Sequence, residues 1–567
     1  MLRKKAVYFT ALFFLAFGLV LLGRLAWLQL FQHSELVALA DKQQVKTVEV
    51  TTACRGSVLD RNGDAITNPG DTPSVLVFPS LVSDVDATAE ALAQVSDLSA
   101  QALASKIAGK NQSGEEVRYQ PFYAKTNLTA EEEKDVESMD LKGVFVVGYQ
   151  SRYLRDTPLQ HTLGSLGAVT EEQILKGEVG PDYQAGDIIG VSGLERIYES
   201  NLKGTGGKKF GVVVDEKNRA IEKDRYYVFQ DDSENTQSSL ELTVDLGIQR
   251  CVENALEGVS GAAVVLDSTN GDVLALASSP KFDPLYIEAP PSEDAYVNKA
   301  LQPYPPASLF KIFVTAVGLE NQVISPETTV VCNGSYTLAN GREIHCWQEE
   351  GHGLMTFSDA LAQSCNPVFI DLGLKIGHQA LATAFKEWEL DDDMLLGYPL
   401  GDLSSFDAAA TDSALANAVL GEEGVFLTPL NIAKLINVIA TGGLLTTPRL
   451  VTVVRDETGE ISKTYPPALS NRVISQTTAE TVKAMMLKTF TDGTGKSLGL
   501  DGLGMAGKTG SSETSNVWIG GFLPAEDPRY TVVILVENGS SGVGDAGPVL
   551  KKIAGYLETL DAEPLKN

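Results

Sequence analysis

Cysteine, histidine, tryptophan and methionine are all scarce in this chain, whose 567 residues hold 5 Cys, 5 His, 4 Trp and 7 Met. The five cysteines, Cys54, Cys251, Cys332, Cys346 and Cys365, are too few to staple a protein of this length, which excludes a disulfide scaffold. Only Cys332 and Cys346 sit close together. Basic residues are short as well: 45 Lys and Arg stand against 74 Asp and Glu, a net charge of −29. That balance supplies no cationic stripe able to neutralise phosphates, so the chain is not read as a nucleic-acid binder. Internal repeats are lacking too. What the chain does have is apolar mass: at 43% hydrophobic it can bury real cores, and about 150 residues per domain gives roughly three or four units.

The longest uncharged run stands near the start. Ala6 to Gly23, AVYFTALFFLAFGLVLLG, is 18 positions without a charge, about 27 Å of helix and just enough to cross a bilayer. Arg3, Lys4 and Lys5 precede it, so the positive-inside rule leaves a short cytoplasmic tail and sends the bulk of the chain outside. The competing reading is a cleaved signal peptide, with Ala16-Phe17-Gly18 as a small-x-small site. The anchor is favoured because apolar character continues past Arg24 to Phe31.

Behind the anchor, Ser34 to Val45 reads as a helical stalk with Leu36, Leu39 and Ala40 on one face. Asn62-Gly63 between Val58-Leu59 and Ala65-Ile66 is a hairpin signal. Beyond it come a helix over Ala87 to Ala108 and strands over Val144 to Gly148 and Phe210 to Val214. The polar run Asp231 to Ser239 reads as a linker. A new unit then opens with Asp245 as the N-cap of a helix carrying Ile248, Cys251, Val252 and Leu256. A hairpin turning at Asn270-Gly271 follows it. Two further strands and a closing helix over Val549 to Leu560 give an α/β fold built on an antiparallel sheet packed between helices. The expected order is a tail over 1–5, a transmembrane anchor over 6–28, a stalk over 29–50, an elongated mixed α+β accessory domain over 51–235, and a catalytic domain over 236–567.

YPPASLFKIFVTAVGLE, Tyr304 to Glu320, sets Ser308 three residues before Lys311 at the head of an apolar stretch. If a helix starts near Pro305 or Pro306, the amine lies beside the hydroxyl. A hydroxyl needs a base at neutral pH, and a lysine can serve if burial and a second cation lower its pKa. Ser-x-x-Lys alone is common by chance. AQSCNPVF adds Ser364-Cys365-Asn366, and GMAGKTGSSE adds Lys508-Thr509-Gly510, in the order and rough spacing of the three signatures of penicillin-recognising serine enzymes.

With all three present, the chain resembles a class B penicillin-binding protein, the membrane-anchored peptidoglycan D,D-transpeptidase. The resemblance extends to RGSVLDRNG at Arg55 to Gly63, GVSGLERIYESNLKGTGG at Gly190 to Gly207, GHG at Gly351 to Gly353, TPLNIA at Thr428 to Ala433 and GTG at Gly493 to Gly495. It implies a pedestal or dimerisation-type domain over 51–235 and a penicillin-binding transpeptidase domain over 236–567. It also implies Ser308 as nucleophile, Lys311 as its base, Lys508 as second cation and Ser364 as proton relay. Asn366 would hold Lys311 and the substrate amide. Thr509 and Lys508 would bind the terminal carboxylate of a D-alanyl-D-alanine stem peptide, Gly510 would leave room for it, and the N–H groups of Ser308 and Ser511 would form the oxyanion hole. Expected partners are stem peptides, β-lactams as covalent inhibitors, and a membrane-embedded glycan polymerase with other wall-synthesis proteins. No metal or organic cofactor is required. Three departures stand out: Ala307 where glycine is usual, SSE after Gly510, and GEEG at Gly421 to Gly424 in place of a glutamine-containing segment.

Other residues have plainer readings. Cys332, His345, Cys346 and His352 fall close enough for a zinc site but lack paired zinc-finger spacing, whereas a Cys332–Cys346 disulfide or free thiols are simpler. Cys365 reads as small-volume packing, and His161 and His378 as structural. Arg55, Asp60, Arg61, Glu195 and Arg196 read as polar groups fixing a hinge. Thr477 with Glu480 reads as a capping box. Rival functions are a membrane-bound β-lactamase or β-lactam sensor, and a catalytically silent scaffold of the division or elongation machinery. The first needs a carboxylate beside the ester, and no segment of the sequence places one there.

Overall fold

The computed structural model describes residues 2–30, 32, 45–48, 55–68, 70–96, 98–109, 121–154, 156–204, 208–213, 226–230, 237–282, 284, 292–400, 406–468 and 471–562. The chain divides into two compact units. One comprises Met1–Cys54, Gly70–Ser151 and Thr205–Asn235; the other comprises Arg55–Pro69, Arg152–Gly204 and Thr236–Asn567. Division by contact thus differs from division along the chain, because segments 55–69 and 152–204 pack with the larger unit.

Leu2–Leu30 is one continuous helix. Its stretch Tyr8–Gln29 is 22 residues at a mean hydropathy of 2.1, long and apolar enough to cross a membrane. The stalk expected over Ser34 to Val45 lies almost wholly outside the described residues. In the same unit Asp71–Val77 pairs antiparallel with Phe122–Lys125 and with Val144–Gln150. Its two faces alternate: Val75 and Val77 pack with Ala89, Leu92, Leu103 and Ile107, and Leu76 packs with Phe78, Phe145 and Val147. The helix expected over Ala87 to Ala108 is two helices, Val85–Leu92 and Ala100–Ile107, each with its own cap. Asp84 accepts from Ala87 N–H and Ser99 from Ala102 N–H, and a chain with a second good N-cap restarts there.

The larger unit is built on a five-stranded antiparallel sheet. Its strands are β1 Gly261–Asp267, β2 Val273–Ser279, β3 Ala506–Ser511, β4 Val517–Leu523 and β5 Tyr530–Val536, in the spatial order β2-β1-β5-β4-β3. Both faces are covered, so the strands other than β3 are near-continuous apolar runs, and alternate residues enter two different cores. Ala262, Val264, Trp518, Val533 and Leu535 meet the helices Lys311–Glu320 and Pro429–Ala440. Ala263, Val265, Ile519, Val532 and Ile534 meet Leu246–Ala255 and the closing helix Gly547–Ala562. Asp245 caps the first of these, accepting from Gly247 and Ile248 N–H.

Asp60 Oδ1 accepts from the N–H groups of Asn62 and Asp64, and Leu59 bridges Ala65, so the Asn62-Gly63 turn forms. Beside it Arg55 is buried between two carboxylates, 2.8 Å from Glu195 and 2.7 Å from Glu199, while Arg152 reaches Glu195 at 2.6 Å. Tyr153 also donates to Glu195. His161 and His378 each hydrogen-bond a backbone carbonyl, of Ala295 and Phe406. The capping expected at Thr477 falls two residues earlier: the helix is Gln476–Thr491, and Ser475 accepts from Thr478 N–H.

Candidate active site

Ser308 lies on a single 3-10 turn, Ala307–Leu309, and the α-helix begins only at Lys311. The helix thus starts later than expected, with Lys311 as its first residue. Two neighbours fix the turn. Ala307 N–H donates to Gly421 O at 2.8 Å, and Trp518 Nε1–H donates to Pro305 O at 3.0 Å. Ala307 sits at φ +49°, the left-handed region where an L residue is strained. Glycine would hold this turn with less strain, so the alanine marks a backbone over-determined by its surroundings.

The Lys311 side chain is fully buried, yet its hydrogen-bond acceptors are neutral: Asn366 Oδ1 at 2.7 Å, Ser364 O at 3.1 Å and Ser364 Oγ at 3.4 Å. Its ammonium also lies 5.3 Å from the centre of the Phe369 ring. Burial pulls the Lys311 pKa down to about 8, with Cys365, Cys346 and Glu422 opposing. Ser364 ends the turn after the helix Phe357–Ala362 at φ +57°, and Asn366 opens the helix Asn366–Ile376, so the loop between two helices aims both side chains at one amine.

β3 forms the edge of the sheet and carries Lys508, Thr509, Gly510 and Ser511. Lys508 is fully buried and donates to Thr509 O at 2.8 Å. Its pKa is driven well below the ordinary value by burial and then by the charge of Lys311, so the two amines share one electrostatic environment. Thr509 Oγ1 lies 2.6 Å from Thr494 Oγ1 of the GTG turn. A Cβ on Gly510 would stand 2.9 Å from Leu309 Cδ1 and 3.3 Å from both Ala307 Cβ and Ser308 N, so a side chain there would press on the Ser308 turn. Ser511 Oγ accepts from Gly542 N–H at 3.4 Å. All eight residues singled out on the sequence therefore belong to the same unit. Ser364 and Asn366 meet at Lys311, Lys508 feels the Lys311 charge, and Gly510 abuts the Ser308 turn.

Two groups depart from the sequence reading. Glu422, in the GEEG segment that the sequence marks as added negative charge where substrate might approach, accepts from Glu513 N–H at 3.2 Å and exerts its charge on Lys311. The second group is Cys332, Cys346, His352 and Cys365, whose ligand atoms all lie within 4.8 Å of one another. All three cysteines are buried free thiols, so no disulfide joins Cys332 to Cys346. The donor set differs from the one read on the sequence. His345 stays out of it, its carbonyl accepting from Asn366 Nδ2, and Cys365 comes in as a donor in place of its reading as packing alone. His352 Nδ1 approaches Cys346 Sγ at 3.5 Å. Three sulfurs and one imidazole nitrogen fit tetrahedral zinc. No spacing rule finds the set because its members come from a strand, two loops and the Ser-x-Asn turn.

Comparison with known proteins follows the division along the chain. The penicillin-binding protein transpeptidase domain model matches residues 261–555, and the penicillin-binding protein dimerisation domain model matches residues 50–237. Stage V sporulation protein D of Bacillus subtilis is 27% identical over 593 residues, covering 100% of this chain and 87% of that protein. Peptidoglycan D,D-transpeptidase MrdA of Salmonella typhimurium is 26% identical over 617 residues, covering 98% and 96%. Among solved structures, Pseudomonas aeruginosa PBP2 in complex with WCK 5153 has a TM-score of 0.62 at 22% identity, covering 90% of this chain and 96% of that one. A transpeptidase-domain match over more than half the chain, preceded by the dimerisation domain, means that this chain belongs to the class B penicillin-binding proteins.

Proposed function

We propose that the chain is a membrane-anchored peptidoglycan D,D-transpeptidase that works through an acyl-enzyme on Ser308. The observation that carries this reading is a fully buried Lys311 held by neutral acceptors from Ser364 and Asn366. Such an amine gives up its proton near neutral pH and can then receive one from Ser308 Oγ. The hydroxyl oxygen attacks the carbonyl carbon of the penultimate D-alanine, and the N–H groups of Ser308 and Ser511 stabilise the oxyanion. Lys508 and Thr509 hold the terminal carboxylate, with the Thr494 hydroxyl supporting Thr509. Ser364 passes the proton to the departing D-alanine amine. A second stem peptide then attacks the ester through its own amine, forming the cross-link and restoring Ser308. A β-lactam enters the first step and stays.

Zinc held by Cys332, Cys346, His352 and Cys365 would supply structural cross-linking, because Cys365 lies between Ser364 and Asn366 and its thiolate would tether that loop. Elemental analysis of the purified chain should find one zinc, lost in Cys365→Ser; a metal-free wild-type chain contradicts this assignment.

The same reading divides the chain into tail 1–5, anchor 6–28, stalk 29–50, accessory domain 51–235 and transpeptidase domain 236–567, with the N-terminus cytoplasmic. A membrane-embedded glycan polymerase is the matching partner, since cross-linking needs glycan strands. The test is intact-mass measurement after penicillin, followed by assay with a D-alanyl-D-alanine thioester donor and an amine acceptor. One long-lived adduct, absent in Ser308→Ala, and acceptor found in product are expected. Rapid multiple hydrolysis of penicillin without acceptor incorporation means a β-lactamase. No adduct at all means a silent scaffold.

A further inference from the structure

Transpeptidation has a second half that the residues above serve poorly. An acceptor amine arrives as an ammonium and must lose a proton before its nitrogen can attack. Lys311 and Lys508 offer no negative charge to hold such a group. A carboxylate beside the ester is the chemistry that would attract it.

Glu422 is placed for this. Its loop is locked to the nucleophile turn, because the adjacent Gly421 accepts the Ala307 N–H at 2.8 Å. Gly421 is at φ +73°, and a Cβ there would stand 2.1 Å from Ala307 O, so only glycine permits the approach. On the other side the Glu422 carboxylate accepts from Glu513 N–H at 3.2 Å, two residues beyond Ser511 on the extension of β3. It therefore spans from the turn bearing Ser308 to the strand bearing Lys508. Its neighbour Glu423 is turned away, accepting from Asn417 Nδ2 at 3.1 Å.

We propose that Glu422 is a further catalytic residue, which binds the ammonium of the acceptor peptide and takes its proton in the aminolysis step. This rests on the acyl-enzyme reading above and adds the acceptor side to it. The proton balance closes: the ammonium gives one proton to Glu422, and its nitrogen lone pair attacks the ester carbonyl carbon. The C–N bond forms as the bond from carbon to Ser308 Oγ breaks, one of the two protons still on nitrogen passes to Ser308 Oγ, and the other stays as the amide N–H. Glu422 then releases its proton to solvent. The groups facing the carboxyl are Lys311 on the nucleophile helix and Glu513 on the strand extension. Burial, with the like charge of Glu513, raises its pKa to about 7 against the opposing Glu513 N–H and Lys311, which suits a group that must both accept and release a proton near neutral pH.

The test uses the full-length chain in detergent with a thioester donor and a peptide bearing a free side-chain amine, followed across about pH 5 to 9. Glu422→Gln keeps the shape and the acceptor for Glu513 N–H. Penicillin acylation of Ser308 should be unchanged or slightly faster, since loss of the carboxylate frees Lys311 from a charge that holds its proton. The ratio of cross-linked to hydrolysed product should fall by about 100-fold, the scale of a lost general base, and its pH limb near 7 should vanish. Glu423→Gln should change neither. An unchanged ratio and profile in Glu422→Gln overturns the proposal, as does an equal loss in acylation and aminolysis. Slower hydrolysis with aminolysis intact also overturns it, because the carboxylate would then serve water. Failure of the wild-type chain to acylate at all would instead remove the acyl-enzyme reading on which this proposal stands.

Discussion

Two of the places where the larger unit buries cations behave in opposite ways. Arg55 sits between Glu195 and Glu199, with Arg152 completing the group, so every buried charge meets an opposite one. Burial alone would pull the guanidinium down, but the hydrogen bonds and charges of Glu199 and Glu195 hold it above its ordinary value. Lys311 and Lys508 are just as buried, but their hydrogen-bond acceptors are amide, hydroxyl and carbonyl oxygens. Burial then wins, and both amines are pushed towards the neutral form. Between these two sites the charge of the partner, not burial, makes the difference. At Lys434, which is also paired with Glu389, burial still outweighs the partner and lowers the pKa.

Three substitutions probe that contrast. Lys311→Arg keeps a cation that cannot deprotonate, and penicillin acylation should fall by about 1,000-fold while thermal unfolding shows a retained fold. Near-normal acylation would move the base elsewhere. Arg55→Met should do the reverse. It leaves Glu199 without its cation and Glu195 with Arg152 alone, and should cost about 3 kcal/mol in urea unfolding, with acylation unchanged below the unfolding transition. A variant of wild-type stability would show that the ion group contributes little. The smallest effect is on stability at Lys311 itself. Its folded pKa of about 8 lies below the ordinary lysine value, so at neutral pH the fold carries a charge it would rather not bury. Lys311→Met should therefore unfold at higher urea than wild type at pH 7. That advantage should shrink as pH rises from about 8 towards about 10.5, where the unfolded chain also loses its proton. An advantage independent of pH would mean that packing, not charge, is responsible.

Much of this was legible before any coordinates. Ser308, Lys311, Ser364, Asn366, Lys508 and Thr509 lie on short local motifs, and the central sheet announces itself as apolar runs such as Gly261–Asp267 and Tyr530–Val536. Turn signals at Gly63 and Gly271 were equally readable, since both need positive φ. What escaped depends on distant segments meeting. Cys365 reads as filler until the Cys332 strand and the His352 loop arrive beside it. Glu422 reads as stray negative charge until Glu513, 91 residues away, donates to it. The cap at Ser475 was missed for a local reason: Ser475 and Thr477 both offer a hydroxyl, and only the backbone geometry chooses between them.

The pH dependence of the second-order rate of Ser308 acylation by penicillin tests the central claim most directly, because donor binding and aminolysis do not enter it. If a buried, unpaired Lys311 is the base, the rate rises about tenfold per pH unit below the lysine's titration and levels off above it. The bend should fall near pH 8. A rate that is flat from about pH 6 to 9, or one that bends in the same place in Lys311→Arg, would contradict the account.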